Sequence, residues 1–132
     1  MDPMPGVADS PSVPPSTQQV RADASHEDRV YSIVMHVLTF LHGAGLIAAL
    51  IMWLTRKDQS PFVADHGREA INFHVSLILY TILGFALLPV CGLGIAVWVA
   101  EGVLTVVGVI LASIAAHEGR FYRYPMCIRL VH

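Results

Sequence analysis

Formal charge is nearly missing from the middle of this chain. Across Val30–Leu54, Ala70–Leu88 and Leu93–Ala116 the one Asp, Glu, Lys or Arg is Glu101. Charged residues make up 14% of the 132 residues, where a soluble domain carries about a quarter. That shortage excludes a water-exposed catalytic domain, which would need polar surface on every side. Positive charge is short as well. The formal net charge is −2 and no basic patch is interleaved with aromatics, so nucleic acid is excluded as a partner. The chain has no Gly-rich phosphate loop, no paired-cysteine zinc signature, no nucleophile elbow and no nucleophile–base–orienter set. The sequence therefore reads as a non-enzyme, with no metal and no cofactor expected.

What it has instead is apolar length. A bilayer core about 30 Å thick is crossed by on the order of 20 apolar residues in a helix. Each of the three apolar stretches meets that requirement, at about 30–54, 70–88 and 93–116. The expected fold is an all-α membrane protein, a three-transmembrane-helix bundle occupying residues 30–132. The first stretch is too long for a signal h-region and its upstream flank is acidic, so it reads as a retained helix. Residues 1–29 are different: five prolines fall within the first fifteen residues, and few large apolar side chains accompany them. Such a segment cannot offset its ordering entropy and reads as a disordered, Pro-rich tail.

Ser60-Pro61 is a helix-start signal, a capping serine followed by proline at the first helical position. The second helix is expected to begin there, with Phe62 and Val63 in the interface and Asp65 and Arg68 spaced to pair. The Pro89–Gly92 turn is short, so the second and third helices are antiparallel neighbours. With three crossings, the first loop and the C-terminus share a side, and that side holds Arg56, Lys57, Arg68, Arg120, Arg123 and Arg129. The positive-inside rule then predicts a multi-pass protein of the bacterial inner membrane, N-terminus outside and C-terminal tail in the cytoplasm. Its first partner is the lipid bilayer.

Glu101 is the residue most in need of a partner, since a carboxylate inside a membrane costs a few kcal/mol or more. Gly94, Glu101, Thr105, Gly108, Ala112 and Ala115 form one stripe of the third helix, suited to close helix packing, while Val103, Val106, Val107, Ile110 and Ile114 face away from it. Counting 1.5 Å per residue from the outer boundary places Glu101 about 12 Å deep, His36 about 9 Å and His42 about 18 Å. His36 is thus the expected partner and His42 the second. The pair is either a register lock or part of a proton or ligand path. Among His36, His42, His74 and His117 no two match in depth and face as axial haem ligands would. On the second helix Glu69, Asn72, Ser76 and Tyr80 share a face and read as interhelical hydrogen-bonding groups.

Two motifs carry a resemblance. Met52-Trp53-Leu54, Lys57-Asp58, Ser60-Pro61-Phe62-Val63 and His66-Gly67-Arg68-Glu69-Ala70-Ile71-Asn72-Phe73-His74 form the first. Ala116-His117-Glu118-Gly119-Arg120-Phe121-Tyr122-Arg123-Tyr124-Pro125-Met126 forms the second. Together they resemble an uncharacterised bacterial family of small membrane proteins that is described as similar to a membrane subunit of the chloroplast inner-envelope import translocon. The resemblance marks Trp53, Pro61, Gly67, Glu69, Asn72, Phe73, Gly119, Tyr122, Arg123, Tyr124 and Pro125 as motif residues, and it implies a helical bundle and a translocon-like role. His74, where the family often has Gln, and Glu101 depart from its pattern.

The functional expectation is a non-enzymatic subunit or assembly factor of a larger membrane complex, partnered by another membrane protein or by further copies of itself. The alternatives are a proton, metal or small-solute conduit using Glu101 with His36 or His42, and protein translocation by resemblance. The reading places Cys91 and Cys127 on opposite sides of the membrane. No disulfide between them is expected on a non-reducing gel, and a membrane-impermeant maleimide applied to intact cells should modify Cys91 and spare Cys127.

Overall fold

The computed structural model describes residues 24–132, and the Pro-rich segment 1–23 lies outside the described residues. Helix α1 spans His26–Val37, α2 His42–Arg56, α3 Pro61–Leu87 and α4 Leu93–His117. The chain is all-α, with three helical segments long and apolar enough to cross a membrane: His26–Arg56, Pro61–Leu87 and Leu93–His117.

Helix α1 starts ahead of Val30 because Ser25 caps it, its Oγ accepting from the Asp28 amide at 3.1 Å. Glu27 and Asp28 occupy the first turn, where the helix dipole favours negative charge. Residues 26–29, assigned to the tail from sequence, are therefore helical.

The first apolar segment is not one straight rod. A 3₁₀ turn at Leu38–Leu41 separates α1 from α2, and His42 adopts φ 47° and ψ −122°. Non-glycine residues rarely take such a conformation. Here the chain doubles back. Arg56 pairs with Glu27 and, at 3.5 Å, with Asp28. Tyr31 Oη donates to the Met52 carbonyl at 3.0 Å and lies 2.8 Å from Thr55 Oγ1. In a continuous helix, residues 27 and 56 would be about 43 Å apart. The α1–α2 unit is thus a helical hairpin, and its halves of 12 and 15 residues are each too short for the bilayer core. Gly45 permits the turn, since a Cβ there would stand 1.8 Å from the Leu38 carbonyl oxygen.

This path corrects the expected topology. Arg29 donates to the His117 carbonyl at 3.2 Å, so the start of α1, the end of α2 and the end of α4 share one end of the bundle. The described N- and C-terminal regions therefore lie together rather than on opposite faces.

Helix α3 is central, packing against α1, α2 and α4. Ser60 caps it, its Oγ accepting from the Val63 amide at 3.3 Å, with Pro61 in the first turn. Phe62 and Val63 are buried in the bundle rather than lying in the interface. On α4 the buried face comprises Gly94, Glu101, Thr105, Gly108, Ala112 and Ala115, with Val109 and Ala116 beside them. Val103, Val106, Val107, Ile110 and Ile114 are outward, the arrangement lipid demands. A Cβ at Gly94 would stand 2.0 Å from the Gly84 carbonyl, so α3 and α4 approach backbone to backbone there.

Beyond Gly119 (φ 70°), residues 120–132 have no regular secondary structure apart from a turn at Pro125-Met126. They fold back onto α3 instead of trailing away.

The hairpin is testable by cross-linking in the Cys91→Ser, Cys127→Ser background. Glu27→Cys with Arg56→Cys is expected to form an intramolecular disulfide in isolated membranes. A straight first helix would leave both thiols free.

Candidate functional site

Asp65, Glu69, Asn72, Ser76 and Tyr80 recur at helical spacing along one face of α3. The sequence suggests that Glu69, Asn72, Ser76 and Tyr80 bond other helices; in the structure all five residues bond the returning C-terminal segment. Arg123 clamps Asp65 through two bonds of 2.7 Å. The Tyr124 amide donates to Glu69 Oε1 at 2.7 Å, and Arg129 reaches the same oxygen at 3.4 Å. Asn72 Oδ1 accepts from the Leu130 and Val131 amides at 3.0 and 2.8 Å, while its Nδ2 donates to the Val131 carbonyl at 2.9 Å. Ser76 Oγ accepts from the Ile128 amide at 2.8 Å, and Tyr80 donates to the Met126 carbonyl.

The order of these contacts describes a loop. The segment passes Asp65 and Glu69, reaches Tyr80 at Met126, turns, and returns past Ser76 to Asn72. Measured from Ala70, where the apolar run begins, Ser76 is about 9 Å along the apolar part of α3. Non-helical backbone survives at such depth where protein satisfies it, and α3 supplies that satisfaction through side chains.

Tyr124 anchors the loop. Its ring stacks on Phe73 with centroids 3.8 Å apart, and a Cβ at Gly108 would come within 2.9 Å of it. Its hydroxyl lies 2.9 Å from His36 Nδ1; His36 Nε2 lies 2.9 Å from His66 Nδ1; His66 Nε2 lies 3.0 Å from the Arg120 carbonyl. A carbonyl only accepts, so His66 Nε2 carries hydrogen. With both rings neutral, His36 Nε2–H then donates to His66 and Tyr124 O–H donates to His36. One proton arrangement satisfies the whole chain. Burial, with Tyr122 and Glu69 nearby, pushes the Tyr124 phenol well above its ordinary range and keeps that donor protonated. Burial likewise raises the Cys127 thiol, which disfavours the reactive thiolate.

The two motifs are thus two sides of one contact. Trp53 Nε1 donates to the Ala64 carbonyl at 3.0 Å, and its indole occupies the space a Cβ on Gly67 would need, 2.2 Å away. Pro61 opens α3 and Gly119 ends the α4 cap. Tyr122 meets Tyr124 edge-on at 5.0 Å, and Pro125 enters the reversing turn. The expected Asp65–Arg68 pair is replaced, because Asp65 takes Arg123 and Arg68 donates to the Ala64 carbonyl at 3.3 Å.

Glu101 lies elsewhere. It is 6% exposed, and its Oε1 accepts from Thr81 Oγ1 at 2.8 Å. His36 is not its partner, since both His36 ring nitrogens are engaged at the seam. The depth count failed because the hairpin reverses α1. His42, at the hairpin tip, does share a cavity of about 490 Å³ with Glu101, together with Phe40, Thr81, Phe85, Trp98 and Thr105. Among the described residues no group of three or more His, Cys, Asp or Glu is placed to hold a metal ion.

Comparison with known proteins gives a family match. The family model described as the magnetosome magnetite crystal formation protein family (MamF/MmsF) matches residues 27–131. No curated protein and no solved structure matches the chain. The matched region contains both motifs, and it overturns the resemblance to a chloroplast import translocon subunit. The motif residues were attached to the wrong relatives, since a helical-bundle pattern is shared more widely than any function.

Asn72→Leu removes three bonds to backbone groups of the returning loop. It is expected to destabilise the loop by about 1–3 kcal/mol and to speed tryptic cleavage at Arg129 in detergent-solubilised protein. Unchanged cleavage kinetics would show that the loop is held without Asn72.

Proposed function

The chain belongs to the magnetosome magnetite crystal formation protein family, and from that premise we propose that it is a non-enzymatic, membrane-embedded subunit or assembly factor of a complex that supports magnetite crystal formation. The observation that carries this reading is the family match across nearly all described residues. The bundle supports it: its helices are sheathed in outward apolar side chains, and no domain outside the apolar helices and the returning loop occurs among the described residues. Partners within the bilayer, another membrane protein or a second copy, have that apolar surface to meet.

Orientation follows from charge. Arg29, Arg56, Lys57, Arg68, Arg120, Arg123 and Arg129 sit at or near one end of the bundle, and the Pro89–Gly92 turn at the other end has none. By the positive-inside rule the basic end faces the cytoplasm, and α3 and α4 cross while the α1–α2 hairpin enters and leaves from that side. Cys91 is then the cysteine on the far face.

A second reading is favoured by the Glu101 cavity: a conduit for protons, a metal ion or a small solute, using Glu101 with His42. Three helical segments enclose no pore, so it requires further copies or a partner.

The test is complementation of a magnetite-forming bacterium lacking its own member of this family, with crystal dimensions measured by electron microscopy. Restoration by the wild-type chain and equally by Glu101→Gln supports the subunit reading. Restoration by wild type but not by a normally expressed Glu101→Gln supports the conduit. Wild-type protein that reaches the membrane and leaves crystal size unchanged would sink both.

A further inference from the structure

The α1–α2 hairpin covers only part of the length of α3 and α4. Beyond its tip, the faces of these two helices carrying Thr81, Phe85, Trp98 and Glu101 are left with the 490 Å³ cavity between them and Phe40 and His42. We propose that this cavity is a binding site for an organic ammonium cation with an apolar body, entering from the bilayer.

Four observations converge. The first is charge. Glu101 is the one acidic residue lining the cavity, no Lys or Arg lines it, and Thr81 is the one side chain that bonds the carboxyl group. An ammonium neutralises a carboxylate whose solitary burial in lipid costs a few kcal/mol or more. The second is aromaticity. Phe40, Phe85 and Trp98 share the cavity, and aromatic faces beside a carboxylate are the setting in which quaternary ammonium groups are held.

The third is that the walls are fixed. Trp98 Nε1 donates to the Thr81 carbonyl at 3.3 Å, Phe85 meets the indole edge-on at 4.8 Å, and the indole stands where a Cβ on Gly84 would lie 2.2 Å from Nε1. Thr105 Oγ1 bonds the Glu101 carbonyl at 2.8 Å, holding the floor. The fourth is access. Phe40, Phe85 and Val106 at the rim are exposed on the apolar outer surface, so the route runs through lipid. A hydrated inorganic ion does not travel that way, and the described residues offer it no third strong ligand. The volume suits a small amphiphile, within the several-hundred-Å³ range usual for ligand pockets.

The test uses the full chain carrying Trp53→Phe, so that Trp98 reports alone, in uncharged maltoside micelles. The probe is a bromine-labelled octyltrimethylammonium ion, and the control is its neutral analogue with carbon in place of nitrogen. Saturable quenching of Trp98 by the cation alone is expected. Glu101→Gln should weaken it at least tenfold. Gly102 lines the cavity and a Cβ there meets nothing within 4 Å, so Gly102→Leu begins its side chain in open space, occupies the cavity and should abolish saturation. If Glu101→Gln fails to fold, Gly102→Leu decides. Equal quenching by the neutral analogue, or saturation that survives Gly102→Leu, overturns the proposal. Because the readout is binding, its failure leaves the crystal-formation reading standing.

Discussion

Everything in this molecule answers to the rule that backbone amides and carbonyls inside a membrane must find partners within the protein. Regular helices meet it internally. The chain departs from helix at two places within its apolar body, the Leu38–Leu41 turn and the returning loop after Gly119, and α3 carries the side chains that satisfy the second. That explains why α3, the most buried helix, is also the most polar of the long ones. Asn72 alone answers two amides and one carbonyl of the loop. The polar face of α3 is a set of surrogate hydrogen-bond partners for a segment with no secondary structure of its own. At the hairpin turn Thr39 Oγ1 is buried without a partner.

The same arrangement gives the bundle two unlike halves. At the basic end, α1, α2, α3, α4 and the loop are knitted together by Arg123–Asp65, Arg56–Glu27 and the Tyr124–His36–His66 chain. At the far end only α3 and α4 continue, pressed together at Gly84 and Gly94. The closed half is suited to holding a shape, and the open half leaves its single acid beside a cavity. Glu101, if buried in the knitted half, would compete with Glu69 for the donors that hold the loop. Its place beyond the hairpin tip keeps it separate from that network.

Much of this was legible in the sequence, and the parts that were not share a cause. Apolar length found the three segments, and the Gly94–Ala115 stripe found the buried face of α4, because both are properties of a regular helix read one residue at a time. The polar face of α3 was also visible at its spacing. Its partner was not, since an irregular segment leaves no periodic mark, and Tyr122-Arg123-Tyr124 reads equally well as an interfacial anchor. The hairpin was missed because composition alone cannot distinguish whether an apolar stretch such as Val30–Leu54 crosses or folds in half. The error then propagated: reversing α1 moved His36 away from Glu101 and placed Arg29 with the other arginines.

The signal for that reversal lies in the flanks. Basic residues border both ends of the first apolar stretch, Arg29 before it and Arg56-Lys57 after it. A single crossing would carry one of these groups to the translocated face, against the positive-inside bias. Folding the stretch in half keeps both on one side and lets Arg56 neutralise Glu27 and Asp28. The glycines lie where such a fold needs them, with Gly45 receiving the Leu38 carbonyl just after the turn. The polar residues of the apolar stretch fit as well: Ser32 and His36 on α1 and Thr39 in the turn are buried, turned toward the bundle rather than lipid. Symmetric basic flanks around an apolar stretch with mid-point glycines and an inward polar stripe are therefore a physical reason for a chain to enter a bilayer and leave by the same face.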